Sequence, residues 1–148
     1  MGTKYNNKHI TFDGYDFKSL LEKRTYQLLK EAGLNPKYES ETFSLLEKFA
    51  LEDKVLLYKP RGVEKTLSLN KRTILGTTYT PDFIFEYRGH KVFYDTKGKV
   101  NDTYPIKLKF FLLLQLQISE KPVIFFEPHS LRQVKQSIEI LKNLPYHK

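Results

Sequence analysis

The sequence predicts an α/β domain with a mixed central β-sheet flanked by helices. Three observations support this. Apolar residues recur at helical spacing in two stretches, and a third, apolar nearly all round in its second half, also reads as a helix. Between these stretches lie short runs of Phe, Tyr, Val and Ile bounded by Gly, Pro, Asn or Asp, the composition of strands. The two kinds of segment alternate in the order α-β-(insert)-β-β-α-β-α. With 148 residues, the chain suits a single domain over 1–148 that can bury a substantial core without staples.

Residues 1–15 read as an irregular polar arm with Gly14 near its end. Phe17, Leu20, Leu21, Leu28, Leu29 and Ala32 predict a helix over Phe17–Ala32, with Asp16 as N-cap and Gly33 as its stop. Asn35-Pro36 is a turn, and Lys37–Leu45 is extended. Residues 46–76 hold two short β-type runs around Pro60-Arg61-Gly62, read as a hairpin inserted into the core. Lys54–Arg72 carries six basic residues and one acid, Glu64, so this hairpin has a basic face.

Thr80–Glu86 and Lys91–Lys97 are the next strands, joined through Tyr87-Arg88-Gly89-His90. "YPIKLKFFLLLQLQ", from Tyr104, reads as a helix. Its second half is apolar nearly all round, which predicts burial on more than one side. "KPVIFFEP" is a short buried strand. Leu131, Val134, Ile138 and Leu141 give a final helix over Ser130–Asn143.

Composition narrows the function. Net charge is +8, from 25 Lys and Arg against 17 Asp and Glu, which favours polyanionic partners. The absence of cysteine excludes disulfides and thiolate metal sites. The longest apolar run, Phe110–Leu114, falls far short of a membrane span, and the first residues lack the apolar core of a signal peptide. A soluble, cytoplasmic protein with no membrane partner is expected. His9, His90, His129 and His147 lack zinc spacing. Phe93 stands where a phosphate loop ending in Gly98-Lys99 would need its first glycine, and no Gly-x-Ser-x-Gly occurs.

"TYTPDFIFEYRGHKVFYDTKGK", Thr78–Lys99, places two carboxylates in aromatic β-type runs. With a connecting loop of two or four residues, opposed partners have numbers summing to 177, as Asp82 and Asp95 do. The two would then face each other, with β-carbons roughly 4.5–5.5 Å apart. Like charges so placed repel, and a divalent cation would turn the penalty into a binding site, Mg²⁺ or Mn²⁺ by its oxygen ligands. Alternation puts Lys97 on the face of Asp95 and Thr96 on the other. Glu22, at the edge of the first helix's apolar stripe, adds a third acid. Three acids and a lysine in a basic protein suit metal-assisted phosphodiester hydrolysis. The plainer readings are that Asp82 merely enters a strand, that Glu22 pairs with Lys18, and that the basic residues are a solvated surface.

Pro81-Asp82 followed by Asp95-Thr96-Lys97 resembles the PD-(D/E)xK nuclease signature, and the element order resembles that superfamily's restriction-endonuclease-like αβββαβ core. Within it, "FKSLLEKR", "EAGLNPKYE", "TYTPDF" and "VFYDTKG" look like the phage endonuclease I family of Holliday-junction resolvases. "GKVNDTYPIKLKFF" also resembles a broader group of small phage nucleases. The likeness covers Phe17–Lys48 and Thr77–Pro128. It departs in carrying Asp95 where the resolvases usually have Glu, and in a much longer segment between the first and second strands.

The resemblance implies a Mg²⁺-dependent DNA endonuclease, with Mn²⁺ as substitute, acting on branched DNA. Glu22, Asp82, Asp95 and Lys97 fall on the catalytic positions. Asp82, Asp95, the Thr96 carbonyl and Glu22 would hold metal, and Lys97 would position the attacking hydroxide. Lys99, Lys107, Lys109, Arg61 and Arg72 are candidate DNA contacts, Lys107 foremost. A homodimer is expected, because a resolvase cuts two strands and the Phe110–Leu116 stretch is so apolar. A phage-encoded protein in the host cytoplasm is implied. Two alternatives stand beside it: a same-fold nuclease for nicking, end processing or transposon-end cleavage, and a non-catalytic DNA-binding protein.

Overall fold

The computed structural model describes residues 10–52, 54–70 and 73–148. The described residues open with β1 (Ile10–Phe12) and β2 (Tyr15–Phe17), a small antiparallel hairpin turning at Asp13-Gly14. The end of the expected irregular arm is therefore ordered. Phe17 is fully buried, and it belongs to this hairpin rather than to the helix.

Helix α1 runs over Leu20–Glu31. Its N-cap is Ser19, not Asp16. The Ser19 hydroxyl accepts from the Glu22 amide at 3.1 Å, satisfying one of the free donors of the first turn. Gly33, at φ +80°, ends the helix as expected, in a conformation that disfavours any side chain.

The expected strand over Lys37–Leu45 is split. A short β3 (Lys37–Tyr38) joins the central sheet, the chain turns at Glu39 with φ +45°, and β4 (Phe43–Leu46) begins a separate ribbon. That ribbon is a nest of antiparallel pairs. β4 pairs with β9 (Thr77–Tyr79), β5 (Phe49–Ala50) with β8 (Thr73–Ile74), and β6 (Tyr58–Arg61) with β7 (Thr66–Leu69). The inserted hairpin is present, with Pro60 and Arg61 inside a strand and the turn over Gly62–Lys65. Pro81, which has no N–H to donate, lies where the chain leaves the ribbon for the sheet, so the strand expected from Thr80 starts only at Phe83.

β10 (Phe83–Tyr87) and β11 (His90–Tyr94) form the central hairpin, with partners summing to 177 from Phe83↔Tyr94 to Tyr87↔His90. The loop is Arg88-Gly89, both at positive φ, the geometry that matches strand twist. The C-terminal segment clasps this loop. The His147 amide donates to the Arg88 carbonyl at 3.0 Å, and the Arg88 guanidinium donates to the carbonyls of Lys142 and Leu144. A β-carbon on Gly89 would sit 2.2 Å from the His147 carbonyl oxygen.

After α2 (Tyr104–Ile118), β12 (Val123–Phe126) pairs parallel to β11, and α3 (Leu131–Lys142) closes the described chain, capped by Ser130 and Asn143. The sheet order is β12-β11-β10-β3. Alternation along its strands feeds two cores. Phe83, Phe85, Val92 and Tyr94 face Phe17, Tyr26, Leu29 and Leu141. Ile84 and Phe93 face Tyr79, Tyr104 and Phe111, beneath α2 and the ribbon's base.

Helix α2 corrects one expectation. Tyr104, Phe111 and Gln115 are buried, but Ile106, Phe110, Leu113 and Leu116 are exposed, the last by 82%. One side of this largely apolar helix covers the sheet, and no described segment covers the other side.

Candidate functional site

The sheet ends in two carboxylates. Asp82 lies one residue before β10 and Asp95 one residue after β11, so the paired register carried one step further brings them opposite each other. Both are buried, Asp95 at 2% exposure. They open into a cleft of about 540 Å³ that Glu22 and Lys97 also line. The four expected catalytic residues therefore meet in one place.

Each is held by specific neighbours. Asp82 accepts from the Thr96 amide at 2.7 Å and from the Thr96 hydroxyl at 2.9 Å. This corrects the expected facing of Thr96. Residues 95–97 lie past the end of β11, where strict alternation lapses, and the Thr96 side chain turns to Asp82. Asp95 accepts from the Tyr79 hydroxyl and forms an ion pair with Lys97 at 2.7 Å. The Lys97 ammonium also sits 4.0 Å from the centre of the Tyr104 ring, a cation–π contact that fixes its position. Glu22 accepts from the Tyr38 hydroxyl at 2.6 Å and from the Lys18 amide at 3.1 Å. The expected partnership with Lys18 is thus made by its backbone, while its ammonium bridges Glu39 at 2.8 Å.

The acids are electrostatically uncomfortable. Burial first, then the Asp95 and Glu22 carboxylates, push Asp82 up to about 8, against the lowering effect of its bonds from Thr96. Burial also raises Asp95, opposed by Lys97 and Tyr79. Tyr79 is pushed far above its ordinary value by burial and by the Asp95 charge, so it remains a donor.

A family model described as a protein of unknown function, DUF1064, matches residues 2–127. The chain belongs to this family. No curated protein and no solved structure is significantly similar to it. The DUF1064 span holds every cleft residue named above and stops before α3.

Among the described residues, no group of three or more His, Cys, Asp or Glu side chains is set closely enough to cage a metal. Two opposed carboxylates remain, and these suit Mg²⁺, which takes one or two carboxylates and completes its shell with water and substrate phosphate. The buried, mutually repelling pair fits a cation of that kind. Lys97 and Tyr79 each engage one Asp95 oxygen, and each oxygen keeps a second lone pair for such a cation.

Of the candidate DNA contacts, Lys107 lines the cleft. Lys99 and Lys109 are exposed and do not line it. Arg61 lies on the distal ribbon, and Arg72 falls outside the described residues. Sequence reasoning missed the orienting tyrosines Tyr38, Tyr79 and Tyr104. Tyr79 was visible inside "TYTPDF", but it reaches Asp95 from the ribbon, a strand the central hairpin's register does not include.

Proposed function

We propose that the chain is a divalent-metal-dependent endonuclease hydrolysing phosphodiester bonds in DNA, with branched DNA such as a Holliday junction as substrate. The observation that carries this reading is the buried Asp82–Asp95 pair in a cleft shared with Glu22 and Lys97. The order α1, β3, β10, β11, α2, β12 supports a restriction-endonuclease-like αβββαβ core, with the ribbon inserted after its first strand. The net charge of +8 supports a polyanionic substrate.

In this reading Asp82 and Asp95 hold Mg²⁺ or Mn²⁺, with the Thr96 carbonyl as a further ligand. A cation held there would polarise the phosphate and lower the pKa of a water. Thr96 fixes the orientation of Asp82 through its amide and hydroxyl, and Tyr79 does the same for Asp95. Glu22, anchored by Tyr38, would hold a second cation or its water. Lys97 positions the attacking hydroxide and stabilises charge growing on the phosphate. Lys107, on the cleft wall, binds the adjacent phosphate. The exposed apolar side of α2 is where a second copy would pack, giving a homodimer with two cleavage sites.

A second reading has its own observation. Asp95 is already engaged by Lys97 and Tyr79, as a structural carboxylate in a DNA-binding protein would be. Cleavage of a labelled four-way junction and its matching linear duplex separates the readings. Wild type and Asp95→Asn are compared, with Mg²⁺ and with EDTA. Symmetric cuts near the branch point should appear with Mg²⁺, and fall more than ~100-fold in the variant. Equal cutting of both substrates would remove the preference for junctions. No cutting, together with tight salt-sensitive binding, would leave the binding protein.

A further inference from the structure

The distal hairpin has two unlike faces. Opposed residues of an antiparallel pair share a face, and successive residues alternate. Tyr58↔Leu69 and Pro60↔Leu67 therefore lie on one face, and Lys59↔Ser68 and Arg61↔Thr66 on the other. One side is apolar; the other is two cations, each opposed by a hydroxyl. All four residues of β6 are exposed. Lys59 and Arg61 make no ion pair among the described residues. A hollow of about 160 Å³ opens beside them, its polar walls formed by Lys59, Arg61, Ser68 and Asn70.

The ribbon's root is part of the cleft. Tyr79, the last residue of β9, donates to Asp95, and Phe43 opposite it packs on Phe111 of α2 at 5.2 Å between ring centres. At ~3.3 Å per extended residue, the return arm from Tyr79 to Thr66, the partner of Arg61, reaches at most ~45 Å from that root.

We propose that the Lys59/Arg61/Thr66/Ser68 face grips the phosphate backbone of duplex DNA, about one helical turn from the phosphate held in the cleft. The chemistry is that of backbone contacts, in which cations and hydroxyls take phosphate oxygens and read no sequence. The two cations share one exposed face, where they are available to a polyanion as well as to water. The inference rests on the DNA-nuclease reading and supplies a second contact along the same substrate.

Fluorescence anisotropy with the full chain in EDTA, where binding is read without hydrolysis, tests it. The probes are duplexes of about 30 and about 10 base pairs, near three turns and one turn of B-DNA. Lys59→Ala/Arg61→Ala should bind the long duplex at least tenfold more weakly. Its slope of log affinity against log salt should be shallower by about 2, since each lost phosphate contact removes ~0.9. Binding to the short duplex should change less than twofold. Lys59→Arg/Arg61→Lys, which keeps both charges, should bind the long duplex like wild type. Circular dichroism checks that each variant is folded.

Wild-type affinity and slope for the double-alanine variant on the long duplex would overturn the grip, as would an equal loss on both lengths. The two readings fail separately. Hairpin-dependent binding without cleavage in Mg²⁺ would sink the nuclease and leave the grip standing. Cleavage with hairpin-independent binding would do the reverse.

Discussion

The central hairpin and the distal hairpin are both antiparallel pairs of short strands, yet they use their side chains in opposite ways. In β10 and β11, Phe83, Val92, Phe93 and Tyr94 are fully buried, because α1 and α3 cover one face of the sheet and α2 the other. In β6 and β7, Tyr58 and Leu67 are more than half exposed, and no described helix lies over either face. The first pair is a rigid platform whose ends can aim two carboxylates. The second is a surface whose side chains are free to meet another molecule. Both pair as antiparallel ribbons although β6 carries Pro60, Lys59 and Arg61 where β10 and β11 carry aromatic and β-branched residues, and coverage follows that difference in composition.

Substitutions sharpen this contrast. Phe93→Ala removes a ring packed at 5.0 Å from Phe111 and at 6.0 Å from Phe43, so it should cost ~3–5 kcal/mol in urea denaturation. A cost below ~1 kcal/mol would mean that the platform is not tightly packed.

The next effect is a pH dependence confined to the platform. Asp82 has its folded pKa raised from 3.8 to about 8, so the folded state binds its proton more tightly than the unfolded state does. Without metal, stability should therefore be higher near pH 4 and fall as pH rises toward 8. Asp82→Asn keeps an acceptor for Thr96 but cannot ionise. In EDTA it should melt higher than wild type at pH 8, with the difference vanishing near pH 4. If wild type and variant melt in parallel across this range, the carboxylate pair is not under electrostatic strain.

The smallest effect belongs to the ribbon. Leu67→Ala, at a side chain 68% exposed, should change stability by no more than ~0.5 kcal/mol. A larger loss would show that something covers this face in solution.

The register of the platform was legible because it follows from arithmetic. A two-residue loop at Arg88-Gly89 fixes every partner, and Asp82 and Asp95 follow. The last helix was legible for a similar reason: its apolar spacing and its Ser130 and Asn143 ends all mark the same span. The start of α1 was not, because Phe17 has the right spacing for the helix but is claimed by a hairpin that pairs it with Ile10. Nor was the exposure of α2, because a pattern apolar all round does not say how many neighbours will arrive. Within the site the carboxylates and Lys97 were readable. The tyrosines that orient them were not, since Tyr38 and Tyr79 come from strands whose position depends on the whole fold.

The clasp on the Arg88-Gly89 loop has a consequence at the far end of the hairpin. A slip of one residue in β10 against β11 would set Asp82 opposite a different neighbour and turn every side chain over. The loop sets that gauge, and the chain from Lys142 to His147 closes over it, leaving no room for a methyl group at Gly89. Position 89 touches nothing in the cleft, yet it admits a single kind of residue. The register that brings the two carboxylates together thus begins at a loop held by residues at the opposite edge of the sheet.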